Sequence, residues 1–365
     1  MQKVKNILLR PRGALSGGLF FPLTLASYLY GFVCRVRAES YRMGILHPRH
    51  LPCRVISVGN LTVGGTGKTP FVIYLARLLS EHGKRVGIVS RGYGRPGREE
   101  SRLVADPHQI FSGPSQVGEE PYLIARRLAG IPVMVARERA GAGEALCRQF
   151  GIDTILLDDG FQHLSLYRDV NLLLIDATDP FGNGFLLPRG TLREPFSALS
   201  RADAILLTRM EQNGPVLPDR LEALLREISR RYSLPVLRSS FGPVLLASLT
   251  DGKVYPVETI RRKRWFVFSG IGNPQSFRRT VERLGGEVVG ERIFSDHFRY
   301  SERVIQRLDA EAAGHVLEGV LTTEKDGVKV ESLLRLVAPK CSYFSLRMDV
   351  AEVEERGLFE RMILG

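Results

Sequence analysis

From residue 55 to residue 210 the chain alternates between two hydrophobic rhythms. Short apolar blocks at 55–58, 86–90, 132–136, 154–158, 171–176 and 204–208 read as strands. Between and after them, 68–82, 118–130, 138–150 and 216–231 read as helices; Phe71, Leu75, Leu78 and Leu79, for example, recur at helical spacing. Strand alternating with helix predicts a mostly parallel sheet covered on both faces. Pro235-Val236-Leu237-Arg238 and Val244-Leu245-Leu246 then flank Phe241-Gly242-Pro243 and read as a pair of extended segments, a linker. A second α/β unit follows. It comprises a strand from Trp265 to Phe268, a loop Ser269–Pro274, a helix over 275–284, a strand at 287–289, a helix over 301–314 and a strand at 318–322. Cys341 to Leu346 reads as a further strand and 352–363 as a terminal helix. No internal repeat or low-complexity segment is present.

Ahead of this pattern, residues 1–54 carry nine Lys/Arg and a single acid, Glu39. Within them Gly13 to Cys34 is an uncharged run of 22 residues that includes Leu15, Leu19, Phe20, Phe21, Leu25, Tyr28 and Phe32. A spanning helix needs about 20 apolar residues, and Gly17, Gly18, Pro22 and several hydroxyls weaken that reading. No clear small-x-small cleavage site follows, which argues against a secretory signal. An interfacial helix starting near Pro22 fits the basic flanks and aromatics best, with a spanning helix and a plain core helix as the alternatives.

The stretch from Val58 to Pro70, Val-Gly-Asn-Leu-Thr-Val-Gly-Gly-Thr-Gly-Lys-Thr-Pro, joins the first strand to the first helix. Strand, glycine loop, Gly-Lys-Thr and helix form the P-loop arrangement. Backbone N–H groups and a helix N-terminus surround a phosphate there, and side chains would block the approach. Lys68 is expected on the β- and γ-phosphates and the Thr69 hydroxyl on Mg²⁺, with Gly64, Gly65, Thr66 and Gly67 forming the cradle. The general pattern has glycine where this chain has Thr62. The chain is expected to bind a nucleoside triphosphate. The expected division is therefore a basic apolar segment 1–54, a nucleotide-binding α/β domain 55–234, a linker 235–250 and a second α/β domain 251–365, whose last helix could pack back on the first.

Composition adds one constraint. Apolar (44%) and charged (25%) content are ordinary for a globular protein, but the net charge of +12 points to a polyanionic partner: nucleic acid, an anionic membrane or a phosphorylated substrate. Four scattered cysteines without a C-x-x-C pair argue against a disulfide framework and fit a reducing compartment. His47, His50 and Cys53 are evenly spaced, but no fourth ligand stands nearby to complete a metal corner.

Further motifs fall at strand ends, where a parallel α/β sheet places its ligands. Ile155-Leu156-Leu157-Asp158-Asp159 is an apolar strand ending in carboxylates, the pattern that holds Mg²⁺ beside a P-loop, and Gly160-Phe161-Gln162-His163 continues it. Ser90-Arg91-Gly92-Tyr93-Gly94-Arg95 follows the second strand and suits phosphate contact or a flexible basic turn. Gly118-Glu119-Glu120-Pro121 opens a helix with two acids where one would serve the helix dipole. Pro188–Pro195 is dense in Arg and Gly and suits an anion clamp somewhat better than a surface loop. Ser295-Asp296-His297-Phe298 and Thr322-Thr323-Glu324-Lys325-Asp326 lie near strand ends of the second unit, where a lone His is more often structural than catalytic. The Arg261–Arg264 run fits a solvated turn or an anionic-surface patch equally well.

Taken in this order, Val58–Pro70, Ser90–Arg95, Gly118–Pro121, Asp158–His163, Leu187–Pro195, Ser269–Pro274, Asp296-His297 and Thr323–Asp326 resemble the tetraacyldisaccharide 4′-kinase family, the lipid A 4′-kinases. The resemblance covers almost the whole chain, and Thr62 is what this family's loop looks like. It implies a P-loop-containing α/β/α sandwich with a second smaller α/β/α lobe joined by a two-stranded β linker, and an N-terminal helix on the membrane. It implies transfer of the ATP γ-phosphate to the 4′-hydroxyl of tetraacyldisaccharide 1-phosphate, giving lipid IVA, with ATP and Mg²⁺ as cofactors. It also implies a peripheral location on the cytoplasmic face of the bacterial inner membrane, where an anionic lipid substrate and an anionic leaflet would account for the basic charge. By the same resemblance Lys68 and Thr69 are nucleotide and magnesium residues, Asp158 and Asp159 the acidic pair, and Arg139 a residue near the phosphates. The family's base is an Asp in Gly-Asp-Glu-Pro oriented by the His of Asp-His. Here Glu119 replaces that Asp and His297 matches the His.

Two other classes share parts of this pattern. A membrane-associated regulatory ATPase uses a Lys-Gly-Gly-x-Gly-Lys loop, but its signature Lys would fall at Val63. A GTPase would need an Asn-Lys-x-Asp motif, which is absent. Nucleic-acid binding accounts less well for the charge, since no aromatic–basic module of that kind occurs.

Overall fold

The computed structural model describes residues 21–92, 100–210 and 217–365. In chain order its strands are β1 (Arg54–Asn60), β2 (Val86–Ser90), β3 (Ser101–Ala105), β4 (Val133–Ala136), β5 (Thr154–Asp158), β6 (Val170–Asp176), β7 (Ala204–Thr208), β8 (Val236–Ser248), β9 (Val254–Pro256), β10 (Arg264–Ser269), β11 (Glu287–Ile293), β12 (Gly319–Thr323) and β13 (Tyr343–Val353). The helices are α1 (Phe21–Arg42), α2 (Lys68–Glu81), α3 (Pro114–Val117), α4 (Glu119–Arg127), α5 (Arg139–Phe150), α6 (Asp219–Tyr232), α7 (Pro274–Arg283), α8 (Glu302–Ala312), α9 (Glu324–Val337) and α10 (Arg356–Leu364). The strands join in one 13-stranded sheet of order β11-β10-β12-β13-β8-β7-β6-β1-β5-β2-β4-β3, with β9 paired to β8.

In the larger lobe β1 lies parallel between β5 and β6, and β2 runs parallel to β5 and β4. Successive residues of β1 face opposite sides. Ile56 and Val58 meet Phe71, Leu75 and Leu79 of α2, while Val55 meets Ala140 and Leu146 of α5. Burial on both faces is why these strands read as unbroken apolar blocks. The antiparallel edge strand β3 has no such block, because three of its residues are not buried.

The smaller lobe is built on β10, β11 and β12 in parallel, and its connection to the larger one differs from the expected pair of segments. Residues 235–248 do not fold back at Phe241-Gly242-Pro243. They form one strand, β8, whose start pairs with β7 and whose remainder pairs antiparallel with β13. Pro243 is tolerated because the register slips there: Arg347 faces Leu245 and Met348 faces Pro243, leaving Val244 bulged. The second linker strand is β13, so residues 352 and 353, expected in the terminal helix, belong to a strand instead. That helix, α10, packs Phe359 and Ile363 into the core around Phe71.

Helix α9 was not anticipated. Its start is capped by Thr323: the Asp326 backbone N donates to Thr323 Oγ1 (3.1 Å), and the Thr323 hydroxyl donates to Asp326 Oδ2 (2.8 Å).

Helix α1 has its burial inverted. Only Ser27 and Gly31 are buried, whereas Phe21, Tyr28 and Phe32 are 67%, 64% and 64% exposed. The polar stripe faces the protein: Ser27 Oγ donates to Leu186 O (2.7 Å), Tyr30 OH to Arg193 O (2.8 Å) and Arg189 Nη1 to Thr24 Oγ1 (2.8 Å). At Gly31 a Cβ would lie 2.6 Å from Leu186 Cδ1, so the helix sits against that side chain with no room for a Cβ unless Leu186 moves. No helix among the described residues is long and apolar enough to cross a membrane. Residues 13–20 of the uncharged run lie outside the described residues.

Candidate active site

The loop between β1 and α2 is clamped on both sides. Val63 N donates to Thr191 O and Arg193 N to Leu61 O (both 2.7 Å), so the arginine–glycine loop 187–195 is tied to the P-loop. Thr208 Oγ1 donates to Thr66 O (2.9 Å) from the end of β7. Gly67 caps α2 in the left-handed region (φ 81°), and a Cβ there would stand 2.8 Å from the Phe241 ring on β8. Glycine is therefore needed at 67 for both backbone and contact. Gly64, at φ 123°, also occupies a conformation that side chains avoid. Thr62 is buried and bridges Leu192. Its side of the loop faces protein, which removes the need for glycine there.

Lys68 and Thr69, the first residues of α2, are buried at the loop mouth. Lys68 Nζ lies 3.2 Å from Asn60 Oδ1 and 3.6 Å from Asp159 Oδ1. Register places Asp158 opposite Val58, so β5 delivers its carboxylates beside the loop. The two acids have different fates. Asp158 accepts from Ser90 Oγ (2.7 Å) through Oδ2, while its buried Oδ1 has no partner. Burial, with Glu120 and Asp159 near, pushes its carboxyl up to about 6. Asp159 accepts from Arg193 Nη1 at 2.9 and 2.8 Å; burial opposes its ionisation, but Lys68, Arg193 and Arg139 hold it below the usual carboxylate range. Arg139 is buried at the start of α5 and donates to Asp159 O (2.9 Å). The orphaned, buried Asp158 oxygen suits a hard divalent cation, which prefers oxygen ligands. Of the arginine loop after β2, Tyr93, Gly94 and Arg95 lie outside the described residues.

A second cluster forms where α4 meets α9. His297 Nδ1 stands 3.4 Å from Glu119 Oε2, and Lys329 Nζ 3.5 Å from Glu119 Oε1. Lys325 Nζ is 3.9 Å from Glu119 Oε2, 3.3 Å from Glu120 Oε1 and 3.9 Å from Asp296 Oδ1. Burial pushes the Glu119 carboxyl up, yet His297, Lys329 and Lys325 outweigh it and leave it below its ordinary value. The Glu119 contact raises His297 in return. Lys329 is itself aimed by Asp326, 2.8 Å away, and buried Asp326 is fixed by Gly270 N (2.8 Å) and Tyr300 OH (3.1 Å). Glu120 links the clusters, since it faces Lys325 and bears on Asp158.

The structure thus gathers Lys68, Thr69, Asp158, Asp159 and Arg139 at the loop, and Glu119 with His297 across the lobes. Sequence reasoning missed Lys325 and Lys329 as site residues, because α9 was unassigned and their spacing of one helical turn had no helix to sit on. It also missed Arg209, which directly follows β7, pairs with Asp176 (2.6 Å) and lies 3.6 Å from where a Gly65 Cβ would be. Its place after a strand of the parallel sheet was the available signal.

A model of the family described as tetraacyldisaccharide-1-P 4′-kinase, LpxK, matches residues 19–363. Among curated relatives, the tetraacyldisaccharide 4′-kinase of Syntrophus aciditrophicus is 39% identical over 94% of this chain and 91% of its own. That of Geobacter sulfurreducens is 40% identical over 94% of each. Among solved structures, an "apo" form LpxK from Aquifex aeolicus in complex with ATP superposes with a TM-score of 0.75 at 31% identity, covering 95% of this chain and 98% of that one.

Proposed function

The chain belongs to the tetraacyldisaccharide-1-P 4′-kinase family, and from that premise we propose how its residues divide the work of phosphoryl transfer. It is a kinase of lipid A biosynthesis that uses ATP and Mg²⁺ to phosphorylate the 4′-hydroxyl of tetraacyldisaccharide 1-phosphate, giving lipid IVA. The regulatory-ATPase alternative is thereby set aside.

In our reading the loop Thr62–Gly67 holds the triphosphate, with Lys68 on the β/γ oxygens and Arg139 nearby. Thr69 and Asp158 would hold Mg²⁺, which supplies charge neutralisation on the transferring phosphate. The unpartnered Asp158 oxygen supports this. Asp159 stands beside them as the third metal candidate, and it holds Lys68 and Arg193 at the loop mouth, from where both can pass to phosphate oxygens. Glu119 accepts the proton of the 4′-hydroxyl while His297 fixes its carboxylate. Since phosphoryl transfer depends chiefly on positioning and charge, that base is worth about 10²–10⁴-fold. The 3.4 Å Glu119–His297 contact, made between lobes by residues far apart in sequence, is the observation that carries this assignment.

We assign residues 55–234 to the larger lobe and 251–365 to the smaller, except that β13 joins 235–250 as the link and α10 packs back on the larger lobe. Residues 1–54 would seat the enzyme on an anionic membrane surface: the apolar face of α1 is exposed among the described residues, and arginines flank it. The sugar hydroxyl would then reach the cleft from the lipid side.

Kinetics with labelled ATP and the lipid disaccharide test the base. Glu119→Ala, His297→Ala and the double variant should lose similar amounts of kcat, because groups acting as a unit are not additive. Glu119→Asp should lose less than Ala. Additive losses, or wild-type kcat in Glu119→Ala, would remove Glu119 from the mechanism.

A further inference from the structure

Two cysteines that lie far apart in sequence meet at the rear of the larger lobe. Cys147 Sγ stands 2.9 Å from Cys53 Sγ, inside the van der Waals contact distance of two sulfurs. Their meeting is built rather than incidental, because the segment entering β1 tracks along α5. Arg49 Nη2 pairs with Glu144 Oε1 (2.7 Å) and Arg49 Nη1 reaches Glu138 Oε2 (3.5 Å). Leu51 then lies against Gly143, where an added Cβ would be 2.5 Å from Leu51 Cδ1. One helical turn beyond Gly143 on the same face is Cys147, directly under Cys53. Both thiols are half-buried at the margin of the core that holds Val55, Leu146 and Ile155, and neither takes part in the phosphoryl-transfer site.

We propose that Cys53 and Cys147 form a dithiol site that closes reversibly to an intramolecular disulfide by exchange with a low-molecular-weight disulfide. The thiolate of Cys147 attacks one sulfur of the reagent, breaking its S–S bond, releasing one reagent thiolate and leaving a mixed disulfide. Cys53 then attacks the Cys147 sulfur, forms the Cys53–Cys147 bond and expels the second reagent thiolate. The two protein protons end on the two released thiols, so the protein is oxidised by two electrons and the reagent reduced by two. Burial and the neighbouring Cys147 push the Cys53 thiol up, in keeping with a resolving role for Cys53. In a reducing cytosol the pair stays open, and it closes when the small-molecule disulfide pool becomes oxidising. Because the sulfurs already touch, closure requires little movement of β1 or α5.

The test uses the full-length reduced protein, oxidised glutathione as the probe, and alkylation with peptide mapping under denaturing conditions. The expected result is that two of the four cysteines become protected, that peptides containing Cys53 and Cys147 appear joined, and that dithiothreitol reverses the change. Cys53→Ser should trap a glutathione adduct on Cys147, whereas Cys147→Ser should leave Cys53 largely unmodified. Closing so long a loop should raise Tm by about 5 °C or more, with kinase activity unchanged. Four alkylatable thiols after exposure, a bond involving Cys34 or Cys341, or two separate glutathione adducts would each overturn the proposal; mapping of the wild-type protein alone decides among these.

Discussion

At the scale of single residues, the site is set by what surrounds Glu119. Its carboxyl sees His297, Lys325 and Lys329 as cations or donors, Glu120 and Asp296 as competing acids for Lys325, and Asp326 with Tyr300 behind Lys329. The lysines hold the carboxyl ionised at the expense of some basicity. A carboxyl with a lowered folded value stays charged well into acid, so removing a lysine should raise it and move the acid limb of kcat to higher pH. Lys329→Met should show this shift and Lys329→Arg should restore the wild-type limb. A lysine that merely supported the fold would lower kcat at every pH without moving the limb, and that outcome in the pH–rate profile would count against the role. The same shifts govern stability. The lowered Glu119 contributes fully above its unfolded value of about 4.3 and loses that contribution as pH falls through the folded one. The raised His297 contributes fully below about 6.5 and loses it as pH rises through its folded value. The pair is therefore most stabilising between about pH 4.3 and 6.5.

At the scale of elements, α1 is the proposed seat on the lipid surface. Ser27, Tyr30 and Thr24 hydrogen-bond to the 186–193 loop, and among the described residues the opposite, apolar face is left exposed. Each basic residue near an anionic surface adds about 1 kcal/mol. Vesicles containing anionic lipid should bind the protein, and high salt should release much of it. Phe32→Asp, at the middle of the exposed face, should weaken the binding several-fold in co-sedimentation while leaving Tm unchanged. Retention through salt and carbonate would favour a spanning segment instead. The elements also show what the sequence could and could not convey. Strands buried on both faces were legible as apolar blocks, and the P-loop and acidic strand end as motifs with one physical purpose. The linker was not, because Phe241-Gly242-Pro243 has turn chemistry and only the pairing with β13, about a hundred residues later, turns it into a bulge. Helix α9 was hidden for a related reason. Gly327 and the charged Glu324-Lys325-Asp326 suit a loop, and their helical meaning lies in partners on α4. Lys68 and Asp158 could be named from their own neighbourhoods and Arg139 only through the family resemblance, whereas the pairing of Lys325 and Lys329 on Glu119 required the fold.

At the scale of the whole molecule, the two lobes meet along α4 and α9, and the contact is made of charge. Glu119 and Glu120 at one end of α4 face Lys325 and Lys329, while Arg126 and Arg127 at the other end face Glu331 and Glu324. Arg127 is the anchor. Its side chain is 1% exposed and pairs with Glu324 Oε2 (2.9 Å) and with Asp349 Oδ2 (2.6 Å) on the linker strand β13, where Arg77 and Arg347 add further contacts. Because α4 carries Glu119 at its start and Arg127 at its end, it acts as a strut: what holds Arg127 also sets the distance from Glu119 to His297. Closure of the lobes along this contact suits a kinase that admits a lipid and a nucleotide and then excludes water. Removing one partner of such a buried cluster costs about 3–5 kcal/mol, because the remaining charges stay buried and uncompensated. Arg127→Met should therefore lower Tm, enlarge the radius of gyration measured by small-angle scattering, and reduce kcat although it touches no substrate. Combined with His297→Ala it should add little further loss, since both changes break the same Glu119–His297 approach. An unchanged radius with full non-additivity would place the effect within α4 itself, and additive losses would separate lobe contact from base positioning altogether.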